Sequence, residues 1–137
     1  MSNLITSQLI ADKNRIKHTA DIFGMYFPLC IEPYIYNVTN TIADEYHGDY
    51  WDFYALSNSG FYMAMHSDTT YQVECENGFI GKLSASALGI TACLYAYSHL
   101  SFSDNVELSE ICSSHYHLLR EYMFEHKEAT SILRAID

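Results

Sequence analysis

Two hydrophobic periods alternate along this chain, and their order predicts the architecture. From about Thr6 to Phe23, apolar Leu9, Ile10, Ile16, Ile22 and Phe23 are mixed with charges and followed by Gly24, the pattern of a helix with a glycine stop. Pro28 and Pro33 then bracket a piece expected to be extended. Beyond it Tyr34, Ile35, Val38, Ile42 and Tyr46 recur every three or four residues, predicting a helix from Glu32 to about Tyr46 ended by Gly48. At Tyr50 the period becomes two: Trp51, Phe53 and Ala55 alternate with Tyr50, Asp52 and Tyr54, and Asn58-Ser59-Gly60 supplies a turn before Phe61, Met63 and Met65. A second alternating run, Tyr71, Val73 and Cys75, meets Phe79, Ile80 and Leu83 through Asn77-Gly78, a pair that accepts positive φ at both positions.

Two adjacent hairpins predict an antiparallel meander of about four strands, apolar on one face, that needs helices to cover it. The next segment fits that need. Leu83 to Ser103 carries no Asp, Glu, Lys or Arg, and a helix capped by Ser84 or Ser86 would run through Leu88, Ile90, Cys93, Leu94, Tyr97 and Leu100 almost without a polar face. Serines, Thr91 and His99 interrupt the run too often for a membrane span, so burial in a protein core is the expectation. A further helix is expected from about Glu107 to His126, with a last short one over Glu128 to Ile136. The fold class read from the pattern is α+β, in one domain spanning 1–137.

Composition narrows the function. Seven Lys and Arg against seventeen Asp and Glu give a net charge of -10, the wrong sign for neutralising phosphates, so direct nucleic-acid binding is not expected. The imbalance is concentrated, because His18 to Gly81 contains no Lys or Arg at all. Such a field keeps a protein soluble, and it can also steer a basic partner. The N-terminus lacks a basic stretch followed by an apolar core, so no export signal is expected and the location read from the chain is the cytoplasm. Cys30, Cys75, Cys93 and Cys112 form no C-x-x-C pair, which favours buried free thiols over zinc or redox chemistry.

Catalytic signatures are missing as well. There is no G-x-S-x-G, no phosphate-binding glycine loop and no H-E-x-x-H. His115 and His117, two apart on a helix, are separated by roughly 200° of rotation and cannot share an ion. No cofactor and no metal are expected. The polar residues at the first hairpin leave two alternatives open: a carboxylate-based hydrolytic site around Asp49, Asp52, Tyr54 and Asn58, or an acidic mimic of DNA. If one patch mediates contact with a partner, the expectation is the exposed part of the hairpin around Asp49, Asp52, Asn58 and Tyr62, since loops on a rigid sheet commonly carry function.

An ordered set of motifs adds a resemblance. Phe27-Pro28, Glu32-Pro33-Tyr34-Ile35-Tyr36, Tyr46-His47-Gly48-Asp49-Tyr50-Trp51-Asp52-Phe53-Tyr54 and Leu56-Ser57-Asn58-Ser59-Gly60-Phe61-Tyr62-Met63 resemble the ArdB/KlcA antirestriction family. The likeness continues through Asn77-Gly78-Phe79, Leu83-Ser84-Ala85, Gly89-Ile90 and Tyr116-His117-Leu118-Leu119-Arg120-Glu121-Tyr122 to Ala135-Ile136-Asp137. Where this chain has Gly48-Asp49 and Ser59-Gly60, family members commonly have paired glycines. The resemblance implies an α+β protein without catalytic activity that relieves type I restriction of incoming mobile DNA. The partner it implies is the host type I restriction-modification system, met directly or indirectly.

Overall fold

The computed structural model describes residues 4–137. Five strands and five α-helices follow one another as β1 (Ser7–Leu9), α1 (Arg15–Phe23), α2 (Glu32–Ile42), β2 (Trp51–Leu56), β3 (Phe61–Met65), β4 (Thr70–Glu74), β5 (Ile80–Ser84), α3 (Ala85–Leu100), α4 (Val106–Met123) and α5 (Ala129–Ile136). The α+β class and both hairpins are as expected, and the details differ in instructive ways.

The first expected helix is only half a helix. Ser7, Gln8 and Leu9 pair antiparallel with Leu56, Ala55 and Tyr54, making β1 an edge strand on the first hairpin. Helix begins only at Arg15, after a 3-10 turn over Asp12–Asn14. A free sheet edge offers hydrogen bonds that no local pattern announces, and it overrides helical periodicity there. The piece between the prolines is not extended either: Phe27–Ile31 is a π-helical turn that runs directly into α2. Each proline occupies the first turn of its segment, where its missing N–H costs nothing. At the other end α2 stops at Ile42, earlier than Tyr46, because Ala43 turns extended; Tyr46 then packs its ring on Trp51.

The two hairpins do not form one meander. β1, β2 and β3 make a three-stranded sheet, and β4 with β5 makes a separate two-stranded one. Clean alternation of apolar and polar faces also fails on β3, where Phe61 to Met65 are all buried because helix covers one side and tyrosine rings the other. The core helix is as the sequence reads. Ser84 caps α3 by accepting the Ala87 N–H, and Leu88, Gly89, Ile90, Thr91, Ala92, Cys93 and Leu94 are all buried. Tyr97 donates its hydroxyl to Phe61 O at 2.8 Å, which ties α3 to β3. Against that pair, Phe23, Phe27, Phe53 and Phe61 meet with centroids 5.4–5.6 Å apart, mostly edge to face. Edge-to-face packing adds about 0.5–1.5 kcal/mol per pair beyond area burial. This aromatic knot fixes α1 and the π-turn on β2, and so sets the walls of the site described below.

The first hairpin turn carries strain. Ser59 sits at φ 77°, a left-handed conformation that costs an L-residue with a Cβ. Ser59→Gly is therefore expected to stabilise the fold by about 0.5–1 kcal/mol, less than the full strain because glycine also loses more entropy on folding. A urea midpoint that falls on substitution would contradict the strain argument.

Candidate functional site

Arg15, at the start of α1, points back toward the sheet and lies between two aromatic faces. Its guanidinium carbon is 4.8 Å from the Tyr50 ring centroid and 4.4 Å from that of Phe53. Arg15 Nε is 3.3 Å from Asp12 Oδ1, and Nη2 is 3.9 Å from Asp52 Oδ1. Around it a cleft of about 340 Å³ is lined by Glu32, Tyr36, Tyr46, Asp49, Tyr50, Trp51 and Phe53. Glu32 comes from the first turn of α2 and Tyr36 lies one turn on, so the two share a face, and the Tyr36 hydroxyl donates to Glu32 Oε2 at 3.1 Å. Burial, with the Glu32 charge second, holds the Tyr36 hydroxyl well above the usual tyrosine range, so it stays a protonated donor. Trp51 Nε1 donates to the Tyr46 hydroxyl at 2.9 Å. Tyr71 donates to Asp49 Oδ2 at 3.1 Å and Tyr50 to Asp12 Oδ1 at 2.6 Å.

A second cavity, of about 490 Å³, shares Arg15, Glu32 and Phe53 with the first and continues along Ile16, Thr19, Ala20, Met25, Phe27 and Pro28. Its rim holds apolar side chains in water: Ile16 is 85% exposed, and Met25 is 68% exposed. Leu29, beside Pro28, is equally exposed. Aromatic cleft and apolar groove thus adjoin, with Arg15, Glu32 and Phe53 lining both.

The residues singled out from the sequence do not converge. Asp49 lies in the cleft. Asp52 faces the neighbouring edge, where its Oδ2 lies 2.7 Å from His66 Nδ1. That hydrogen bond first, and the Asp52 charge second, raise the His66 pKa above the ordinary value. Asn58 is at the far end of the hairpin, roughly 20 Å from Asp52 at about 3.3 Å per residue. Its amide is spent on structure: Nδ2 donates to Leu118 O at 2.9 Å, and Oδ1 accepts the Gly60 N–H at 3.0 Å. Tyr62, expected on the surface, is 4% exposed and stacks between Tyr54 and Tyr122, with centroids at 4.8 and 5.7 Å. The expected patch is corrected accordingly: α4 packs over that end of the sheet and buries Tyr62, leaving Asp49 and Asp52 at the other end.

The pattern missed Arg15, Glu32, Tyr36 and Tyr46. One signal was present: Arg15, unlike Lys13 and Lys17, stands eight residues before Phe23 and so shares its helix face, and in the structure its side chain is largely enclosed, at 17% exposure. An arginine on the apolar-facing side of an amphipathic helix, with aromatics elsewhere in the chain, is a candidate for stacking.

The groups that imitate catalytic pairs have structural duties. Ser86 Oγ and His126 Nε2 are 3.0 Å apart, the spacing of a nucleophile and its base. His126 Nδ1, however, accepts the Glu128 N–H at 2.9 Å, which places the proton of the neutral ring on Nε2. Burial lowers the His126 pKa and keeps it neutral. Nε2 then donates to Ser86 and cannot take its proton. Among the described residues no group of three His, Cys, Asp or Glu side chains is placed to hold a metal ion. His115 is buried and His117 exposed, as their separation on the helix requires. The cysteines are free, with Cys75, Cys93 and Cys112 buried, and burial pushes the Cys93 and Cys112 thiols up to about 12. Among the described residues no helix is long and apolar enough to cross a membrane.

The fold is an α+β scaffold in which an arginine stacked on two aromatic rings lines both cavities. The chain belongs to the antirestriction protein family, whose model matches residues 44–137. Two antirestriction proteins KlcA of Escherichia coli are similar along nearly their whole length: one is 36% identical over 137 residues, covering 97% of this chain and 94% of the relative. The other is 34% identical over 135 residues, covering 97% and 95%. The solved structure of the KlcA and ArdB proteins, described as a novel fold with antirestriction activity against type I DNA restriction systems in vivo but not in vitro, superposes with a TM-score of 0.90. The match has 35% sequence identity and covers 100% of this chain and 98% of that one.

Proposed function

We propose that this protein relieves type I restriction of incoming mobile DNA in a bacterial cytoplasm, through protein contact or an indirect route and without bond-making chemistry. The observation that carries the reading is the whole-chain superposition, TM-score 0.90, on proteins with that activity in vivo. Residues 1–137 act as one unit in this reading, and the surface that acts is the Arg15–Glu32–Trp51 cleft. Their inactivity in vitro fits a mode that needs a further cellular component.

Mimicry of DNA is the less favoured reading. A mimic requires rows of free carboxylates at phosphate-like spacing. Several of the seventeen acids are instead spent on bonds within the chain: Glu45 accepts the Gln72 N–H, Glu125 the Ile5 N–H and Glu128 the Ser84 N–H, Asp12, Glu32 and Asp49 accept tyrosine hydroxyls around the cleft, and Asp52 pairs with His66.

Plating unmodified phage on a type I restricting host measures the activity. Expression of this chain is expected to raise plating well above that of the same host without it. Glu32→Gln, which is near-isosteric, is expected to lose most of that gain. Ser86→Ala is expected to protect like the unaltered chain, since its partner histidine is a donor. Equal plating with and without the protein removes the function, and full loss in Ser86→Ala would restore the enzymatic alternative.

A further inference from the structure

The cleft and groove have a chemistry that selects their occupant. Five aromatic residues line the cleft, of which Tyr50 and Phe53 pack on Arg15 and Tyr36, Tyr46 and Trp51 do not, and two carboxylates, Glu32 and Asp49, reach it. Each carboxylate spends one oxygen on a tyrosine hydroxyl and keeps the other. Arg15 does not turn this into an anion site. Its Nε and Nη2 are closed to solvent, Asp12 stands against its charge, and its flat face is taken by Tyr50 and Phe53. Glu32 and Asp49 in the lining outweigh the one cation there, Arg15, and Asp12 stands beside the guanidinium at the edge, so the cleft is net negative. Aromatic faces with carboxylates at their edge attract a cation, and the Arg15 guanidinium over Tyr50 and Phe53 is the same contact made within the chain. The adjoining groove is of opposite character, apolar and rimmed by exposed Ile16 and Met25. Exposed apolar side chains contiguous with a pocket mark an interaction surface.

We propose that the adjoining cleft and groove bind one extended segment of a partner protein, a lysine or arginine side chain entering the aromatic cleft toward Glu32 and Asp49 while its apolar neighbours lie along Ile16, Met25 and Phe27. The inference rests on the cleft being the acting surface, and it adds the sign and sequence character of the partner. A basic segment is also what the stretch from His18 to Gly81, free of Lys and Arg, would steer inward.

Trp51 is the single tryptophan and forms part of the cleft wall, so its emission reports occupancy directly. Two capped five-residue peptides serve as probes with the intact chain: Gly-Arg-Leu-Leu-Gly, and the same peptide with glutamate in place of arginine. The arginine peptide is expected to give a saturable change in Trp51 emission, the glutamate peptide none. Glu32→Gln, or about 0.5 M salt, is expected to weaken the arginine peptide roughly tenfold by removing or screening the charge pair. Met25→Asp is expected to weaken it through the groove alone, leaving Trp51 surroundings unaltered in the free protein. No saturable response, equal responses to the two peptides, or indifference to Glu32→Gln each overturns the proposal. Phage plating separates the two levels: protection without peptide binding overturns this inference and leaves antirestriction standing, whereas binding without protection does the reverse.

Discussion

Gly89→Ala is expected to cost about 3 kcal/mol, the upper end of what overpacking does, although the substitution would ordinarily favour a helix by about 1 kcal/mol. The reason is the closeness of α3 to β3. A Cβ on Gly89 would stand 2.5 Å from Met63 O, 2.5 Å from Ala64 Cβ and 2.6 Å from Ala64 Cα. Two of those three atoms are backbone of a strand paired along its length with β2, so no side-chain rotation relieves the clash. Either the helix lifts from the sheet or the strand shifts. Both loosen the Tyr97 and Cys93 contacts to β3, and both disturb β2, which carries Trp51 and Phe53 into the cleft. Against a total stability of order 5–15 kcal/mol, such a loss is large. Urea unfolding is expected to show a lower midpoint at nearly unchanged slope. Ala64→Gly in the same chain should recover only a part, since Met63 O and Ala64 Cα remain in the way. An unchanged midpoint for Gly89→Ala would mean that the helix and sheet are not in the contact described.

Gly89 also marks where the sequence was legible and where it was not. A glycine inside an apolar helical run is a local anomaly that marks the position as special; that it marks a close approach, and to which strand, is not in the pattern. Turn chemistry was equally readable. Gly78 takes φ 93° as expected, whereas Asn77 does not adopt the positive φ that the pair allows and the turn is closed by the Gly78 N–H to Cys75 O; Asn58 holds the other turn by accepting the Gly60 N–H. These features depend on residues near one another in sequence. What failed depended on distant ones: β1 is a strand only because β2 offers it an edge, and Tyr62 is buried only because Tyr122 comes to cover it from 60 residues away. The cleft is the extreme case. Arg15, Glu32 and Trp51 belong to three elements, each locally bland, and their meeting is set by the phenylalanine knot between α1, the π-turn and β2.

The second large effect is an acid sensitivity centred on His115. Its ring packs against Phe23 and Tyr97, with centroids at 4.5 and 5.8 Å, and its Nδ1 has no hydrogen-bond partner. Burial disfavours the charged ring and lowers its pKa to about 4. In the unfolded chain the same group titrates near the ordinary value of about 6.5. Between those two values the unfolded state takes up a proton that the folded state refuses, so stability falls as the pH falls, starting near 6.5 and levelling off below about 4. Above 6.5 the ring is neutral in both states and contributes no pH dependence. The full window is worth about 3 kcal/mol, and most of it is spent by pH 4.5. His126, also lowered by burial, acts in the same direction. His66 acts in the opposite sense, because its pKa is raised by Asp52 and its pairing strengthens in acid, but it is exposed and screened. His115→Phe keeps a ring of similar size between Phe23 and Tyr97 and removes both the titration and the unpaired nitrogen. Denaturation at pH 7.5 and 4.5 is therefore expected to show the unaltered chain losing about 2–3 kcal/mol more than His115→Phe across that interval. Equal losses in the two proteins would show that His115 is reached by water and protonates as readily folded as unfolded.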